Sequence, residues 1–80
     1  MAVETEYSFT IILEPDDEDG GYTVTVPALP GCVTQGESLE EAIAMAKDAI
    51  QVYVESLIKD GLPVPTERER PQAITIKVAA

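Results

Sequence analysis

The chain contains no histidine and no tryptophan, and only one of its 80 residues is a cysteine. Without histidine it lacks the commonest general base of enzymes and the commonest zinc ligand. One cysteine cannot form a disulfide within the chain, so Cys32 fits a reducing compartment. No apolar run approaches the ~20 residues that a membrane-spanning helix needs, and the start lacks the pattern of a signal peptide. We therefore expect no membrane segment and predict a cytoplasmic protein.

Positive charge is also scarce. Five Lys and Arg stand against fifteen Asp and Glu, which gives a formal net charge of −10. Phosphate contacts need Lys and Arg, so this balance disfavours direct binding to DNA, RNA or anionic lipid. Acidity keeps a protein soluble, and it also steers a basic partner toward it. Charge alone does not separate these two roles.

Apolar residues that alternate with polar ones predict four strands, at about 7–14, 22–26, 32–35 and 73–78. A helical apolar period predicts one long helix over about 39–60. Residues 62–72 are rich in proline and charge and are expected to form an extended linker. The whole chain, 1–80, is therefore expected to be a single domain.

Turn and cap residues separate these elements. Ser38 and Glu41 have the spacing of a capping box at the start of the helix. Gly61 has the position of a left-handed residue that ends it, as in a Schellman motif. The residues that we expect to be architectural are Gly21, Pro27, Pro30, Gly31, Cys32, Gly36, Ser38, Glu41 and Gly61.

The order of elements predicts an α+β fold, β-β-β-α-β. The first three strands are close in sequence and should form an antiparallel meander. The last strand is most simply placed parallel to the first, through a right-handed crossover. The result is a mixed four-stranded sheet with the helix on one face. Ile12 and Val33 would then need cover on the other face, so we expect a homodimer or a higher homo-oligomer.

Residues with catalytic or metal-binding chemistry are few. No activating base or cation lies near Cys32 in the sequence, and free cysteine is usually a buried apolar residue. The acids 16–19 do not match a calcium-loop pattern, and an exposed hairpin tip is the more common role of such a run. Glu14 and Glu37 are possible paired carboxylates, although the sequence does not define their geometry. We predict no cofactor, no metal site and no catalytic residues.

Four segments together resemble a known family. They are 20–22 (GGY), 26–37 (VPALPGCVTQGE), 38–42 (SLEEA) and 61–65 (GLPVP). This pattern is similar to that of the HicB family of type II antitoxins, and the likeness covers about 7–78. It implies a partial RNase H-like fold and the neutralisation of a small HicA-like mRNA interferase by protein contact. Full-length members usually add a C-terminal DNA-binding module. No such module follows the last predicted strand here, so direct operator binding is not expected.

The leading hypothesis is therefore an antitoxin that occludes a basic HicA-like toxin. Its candidate contact residues are Asp16, Asp17, Glu18, Asp19 and Tyr22. One alternative is an orphan oligomerisation or binding domain without a toxin. Another is a metal-dependent RNase H-like hydrolase that uses Glu14 and Glu37.

Overall fold

The computed structural model describes residues 6–80. Strands β1 (Ile12–Pro15), β2 (Tyr22–Thr25) and β3 (Val33–Gly36) form an antiparallel sheet in the order β1-β2-β3. Helix α1 (Leu39–Lys59) follows and packs on one face of this sheet. The structure thus confirms an α+β arrangement with an antiparallel three-strand meander and one long helix.

The core lies between the sheet and α1, and it consists of two clusters. The first centres on Val24 and Ala42, with Leu13 packed at its side. The second contains Leu29 and Cys32 from the β2–β3 loop, and half-buried Tyr53 of α1 packs against it. Alternation along β2 explains this arrangement, because every second residue faces the helix.

Both ends of α1 form as predicted. The Ser38 hydroxyl accepts a hydrogen bond from the Glu41 N–H at 3.1 Å. At the other end, the Leu62 N–H donates to the Leu57 carbonyl and the Gly61 N–H to the Ile58 carbonyl, at 2.9 and 3.1 Å. With Gly61 at φ +70°, this is a Schellman motif, and Asp60 is the C-cap rather than the last helical residue.

Gly36 lets α1 begin close to the sheet. A Cβ atom on this residue would lie 2.6 Å from the Ala42 Cα and still closer to the Ala42 amide nitrogen. No side chain fits at that distance, so glycine is required where β3 meets the first turn of the helix.

The first strand is shorter than predicted, because it begins at Ile12 and not at residue 7. Ile12 pairs with Thr25, the last residue of β2. The next residue of this strand to point its backbone at β2 is Thr10, which would face Pro27, and proline has no N–H to donate. The Thr10 N–H donates to the Glu67 carboxylate instead. Residues 7–11 therefore have the alternating sequence of a strand but are not paired with β2.

The fourth strand predicted at 73–78 does not form in this chain. These residues belong to no regular element, and Ile74, Ile76 and Val78 are 74%, 77% and 83% exposed. The segment has the alternating sequence of a strand, but a strand also needs a neighbour, and here the segment pairs with no edge of the three-stranded sheet.

Candidate partner-binding surface

The acidic loop between β1 and β2 is built around Asp16. Its Oδ1 accepts hydrogen bonds from the backbone N–H groups of Glu18 and Asp19 at 2.9 and 3.2 Å. The Gly20 N–H donates to the Asp16 carbonyl, and the Asp16 N–H donates to the Gly21 carbonyl, both at 3.0 Å. Asp16 is therefore half-buried and shapes the loop, whereas the sequence had placed all four acids at the exposed tip.

Gly21 closes this loop at a positive φ of +78°. A Cβ atom here would also collide with the Gly36 carbonyl oxygen and lie 3.0 Å from the Glu37 Cα. The end of the loop that leads into β2 thus sits directly against the end of β3, which brings the loop beside the start of α1.

An acid-lined cleft results from that contact. Its walls include Asp16, Asp19 and Tyr22 from the hairpin and Glu37 and Glu41 from the start of α1, and its volume is about 380 Å³. The structure therefore brings Tyr22 together with two of the four predicted acids. Asp17 and Glu18 lie next to the cleft on the exposed tip of the loop.

Sequence reasoning missed Glu37 and Glu41 as members of this surface. Glu41 was assigned only to the helix cap, where its Oε1 does accept from the Glu37 N–H at 3.4 Å. Glu14 does not line the cleft. Within residues 6–80, no three or more Cys, His, Asp or Glu side chains converge closely enough to hold a metal ion.

Cys32 is buried in the second core cluster. Burial raises the pKa of its thiol, because the charged thiolate would lose its hydration. The neutral thiol is a poor nucleophile, and its side chain packs among the apolar residues of this cluster.

The loop between β2 and β3 anchors the helix to the sheet. Pro27, Pro30 and Gly31 form its turns, as predicted, and Gly31 has φ +80°. Leu29, at 0% exposure, fills the space below α1. The Tyr53 hydroxyl then donates to the Pro30 carbonyl at 2.9 Å.

Two grooves with apolar side chains in their walls flank α1, and the walls of the first also contain Lys47, Glu55 and Arg70. We call the one lined by Tyr7, Phe9, Ile50, Val54 and Ile58 the β1 groove, since it lies beside the residues that lead into β1. The β3 groove, on the opposite side of the helix, is lined by Cys32, Val33, Met45, Val52 and Leu57. Val33 is 59% exposed, so the apolar residue that was expected to need cover is open in this chain.

Among the described residues, none of the helical segments has the length and apolar character needed to cross a membrane.

Comparison with known proteins gives a family. The profile of a family described as "HicB_like antitoxin of bacterial toxin-antitoxin system" matches residues 9–76. The chain is 47% identical over 68 residues to UPF0150 protein Ta0767 of Thermoplasma acidophilum, a match that covers 85% of this chain and 94% of that protein. It is 48% identical over 61 residues to UPF0150 protein ssr1765 of Synechocystis, with 76% of each protein covered.

A further relative has a functional name. Antitoxin HicB 1 of Photorhabdus laumondii is 40% identical over 57 residues, which are 71% of this chain but 36% of that protein. The match to the family profile includes the acidic hairpin, the sheet and the whole of α1. The chain therefore belongs to the HicB-like antitoxin family of bacterial toxin–antitoxin systems.

Proposed function

We propose that this protein neutralises a basic, HicA-like mRNA interferase by covering its RNA-binding surface. The observation that carries the proposal is the acid-lined cleft, where carboxylates from the hairpin and from the start of α1 converge. A toxin that binds RNA needs a cationic surface for the phosphates. An acidic protein surface of similar extent competes for the same cations.

The exposed acids of the hairpin are the proposed contacts. The turn is held by the side chain of Asp16, so the proposed contacts are the other three acids, Asp17, Glu18 and Asp19. Tyr22 adds an aromatic side chain to the wall of the cleft. Asp16 remains part of this surface, but its main contribution is to hold the loop in shape.

Several broader features belong to the same proposal. We place the protein in the cytoplasm, as a homo-oligomer with a partial RNase H-like fold over residues 1–80. It acts without catalysis or a cofactor and does not contact DNA directly. The net charge of −10 supports the last point, since it repels the phosphate backbone.

The test is a binding titration against a purified HicA-like toxin, made catalytically inactive and encoded next to this gene. The variant carries Asp17→Asn, Glu18→Gln and Asp19→Asn, which keeps Asp16 and therefore the loop. Loss of three solvent-exposed ion pairs is expected to weaken the complex about tenfold to a hundredfold at low salt. The salt dependence of the affinity should also become shallower.

A matched control removes the same amount of charge elsewhere. Asp48→Asn, Glu55→Gln and Glu69→Gln alter three exposed acids that do not line the cleft. We expect this control to retain most of the affinity. If both triple variants lose affinity equally, net charge matters and the position of the acids does not, and the proposed contact surface is wrong. If the hairpin variant loses no affinity, the proposed contact surface is wrong as well.

A further inference from the structure

The C-terminal segment 73–78 has the alternating sequence of a strand but joins no sheet of the described structure. Its β-branched residues Ile74, Ile76 and Val78 share one face, and each is at least 74% exposed. The radius of gyration is 15.3 Å and the longest dimension 58 Å. A compact chain of this length has a radius of about 12 Å, so the segment projects well beyond the domain.

The linker determines where this segment leaves the domain. The Glu67 carboxylate accepts hydrogen bonds from the Thr10 N–H at 2.5 Å and from the Thr10 hydroxyl at 2.9 Å. Three residues later, Arg70 lines the β1 groove together with Tyr7 and Phe9. The chain from 67 to 70 therefore runs opposite to residues 7–10 and departs at the Tyr7 end of the groove.

Among residues 6–80, no strand pairs with the outer edge of β1, so this edge is open in the described structure. The Asp16 N–H donates to the Gly21 carbonyl across the hairpin, so every second residue back along β1 points its backbone groups at β2. Ile11 and Leu13 lie between those residues and direct their backbone groups outward. The β1 groove lies beside this edge, and its apolar walls include Tyr7 at 39% and Ile58 at 57% exposure.

We propose that residues 73–78 pair with the outer edge of β1 in a second copy of this chain, and that the two copies exchange these segments reciprocally. A segment that leaves one copy at its Tyr7 end enters a two-fold related copy at the same end. It then runs in the direction of β1, which produces the parallel fourth strand that the alternation predicts.

Side-chain alternation defines the register of this pairing. With Ile74 beside Tyr7, the apolar residues Ile76 and Val78 lie beside Phe9 and Ile11, on the side that α1 covers. Thr75 and Lys77 then face away from the helix, in line with Ser8 and Thr10. Residues 7–11, which keep a strand pattern without a ladder, thereby gain a partner.

A second copy is a better source of this strand than the same chain. The linker reaches the Tyr7 end while running against the direction of β1, so closure within one chain needs a full reversal after Arg70. Pro71 follows at once, and proline holds the residue before it in an extended conformation. No glycine is present from 62 to 80 to make a tight turn.

The first experiment measures mass by light scattering and sedimentation over a range of concentrations, on the full chain. We expect a dimer of twice 8.6 kDa. The double variant Ile74→Thr with Ile76→Thr keeps the β-propensity but removes apolar surface from both exchanged segments. The dissociation constant of the dimer should therefore rise at least about a hundredfold. These residues make no core contact, so the variant is expected to keep its fold. Thr75→Ser with Lys77→Gln is the control on the opposite face and should remain dimeric.

The second experiment identifies which edge of the sheet residues 73–78 pair with, and whether that edge belongs to the same chain or to a second copy. On a Cys32→Ala background, Ser8→Cys and Thr75→Cys are introduced together, and the protein is oxidised at low concentration. Exchange predicts a covalent dimer on a denaturing gel, whereas closure within one chain predicts a cross-linked monomer. Gln35→Cys with Thr75→Cys tests the β3 edge and should not form the dimer.

A monomeric native chain, a cross-linked monomer or efficient cross-linking at Gln35 would each overturn the proposal. So would a dimer unaffected by the Ile74 and Ile76 substitutions. The exchange does not depend on toxin binding, because the hairpin variants leave residues 73–78 and the β1 edge intact. Loss of toxin affinity with an unchanged dimer, or the reverse, therefore separates the two proposals.

Discussion

Leu29 is the largest side chain in the described part of the chain that solvent does not reach, with 0% exposure. Truncation of a buried leucine to alanine costs about 2.7–5.0 kcal/mol, because apolar contact is lost and a cavity remains. Here the cost should be near the upper end. The Leu29 N–H donates to the Val26 carbonyl and the Leu29 carbonyl accepts from the Cys32 N–H, both at 3.0 Å, so the loop cannot easily collapse into the cavity.

Such a loss is large for this protein. A domain of this length is stabilised by roughly 4–12 kcal/mol in total. Leu29→Ala should therefore lower the midpoint of thermal unfolding by more than about 12 °C, or leave the chain largely unfolded at room temperature. Urea unfolding followed by circular dichroism at 222 nm measures the effect, since α1 dominates that signal. Protein concentration must be held constant in these measurements, because an exchanged dimer makes stability depend on it.

Leu39→Ala is the matched control. Leu39 undergoes the same chemical change at the start of α1, where the side chain is 48% exposed. We expect it to cost less than about 1 kcal/mol, as surface substitutions usually do. A loss below about 1 kcal/mol for Leu29→Ala, or equal losses for the two variants, would refute the assignment of Leu29 as the anchor of the β2–β3 loop.

Two further predictions concern the helix cap and the buried thiol. Ser38→Ala should destabilise the fold by about 1 kcal/mol, since the Glu41 N–H loses its acceptor, whereas Ser56→Ala on the exposed helix surface should be nearly neutral in the same urea titration. Because burial raises the pKa of the Cys32 thiol, this residue's contribution to stability should be constant below the ordinary pKa of a thiol and fall as pH rises through the raised value. Unfolding at several pH values, compared with Cys32→Ala, isolates that contribution. Equal pH dependence in the two proteins would contradict it.

Local signals were sufficient to predict the helix and its ends. Ser38, Glu41 and Gly61 lie within a few residues of the backbone groups that they satisfy, so their spacing carries the information. The start of β1 was not predictable in this way. It depends on the missing N–H of Pro27 just beyond β2 and on the distant Glu67, which accepts the Thr10 N–H.

Two contacts that sequence reasoning did not predict join residues that are far apart in the chain. Glu67 binds Thr10 across 57 positions, and no pattern in the linker distinguished it from the charged residues around it. The acid-lined cleft likewise exists because Gly21 packs against Gly36, and this contact brings the hairpin beside α1. Sequence reasoning identified the hairpin acids by composition, but it could not show that Glu37 and Glu41 complete the same cleft.

Salt should act in opposite directions on the two proposed associations. Two copies of this chain, each with a net charge of −10, repel one another, while the exchanged segments join them through apolar side chains and backbone hydrogen bonds. Between about 0.05 and 0.5 M salt, screening should therefore strengthen the dimer. The same screening should weaken a complex held by the hairpin acids and a basic toxin. Sedimentation of the free protein and titration of the complex in one buffer series measure both trends. If the dimer weakened with added salt, ion pairs would hold it together, and the exchange of an apolar strand would not be its basis.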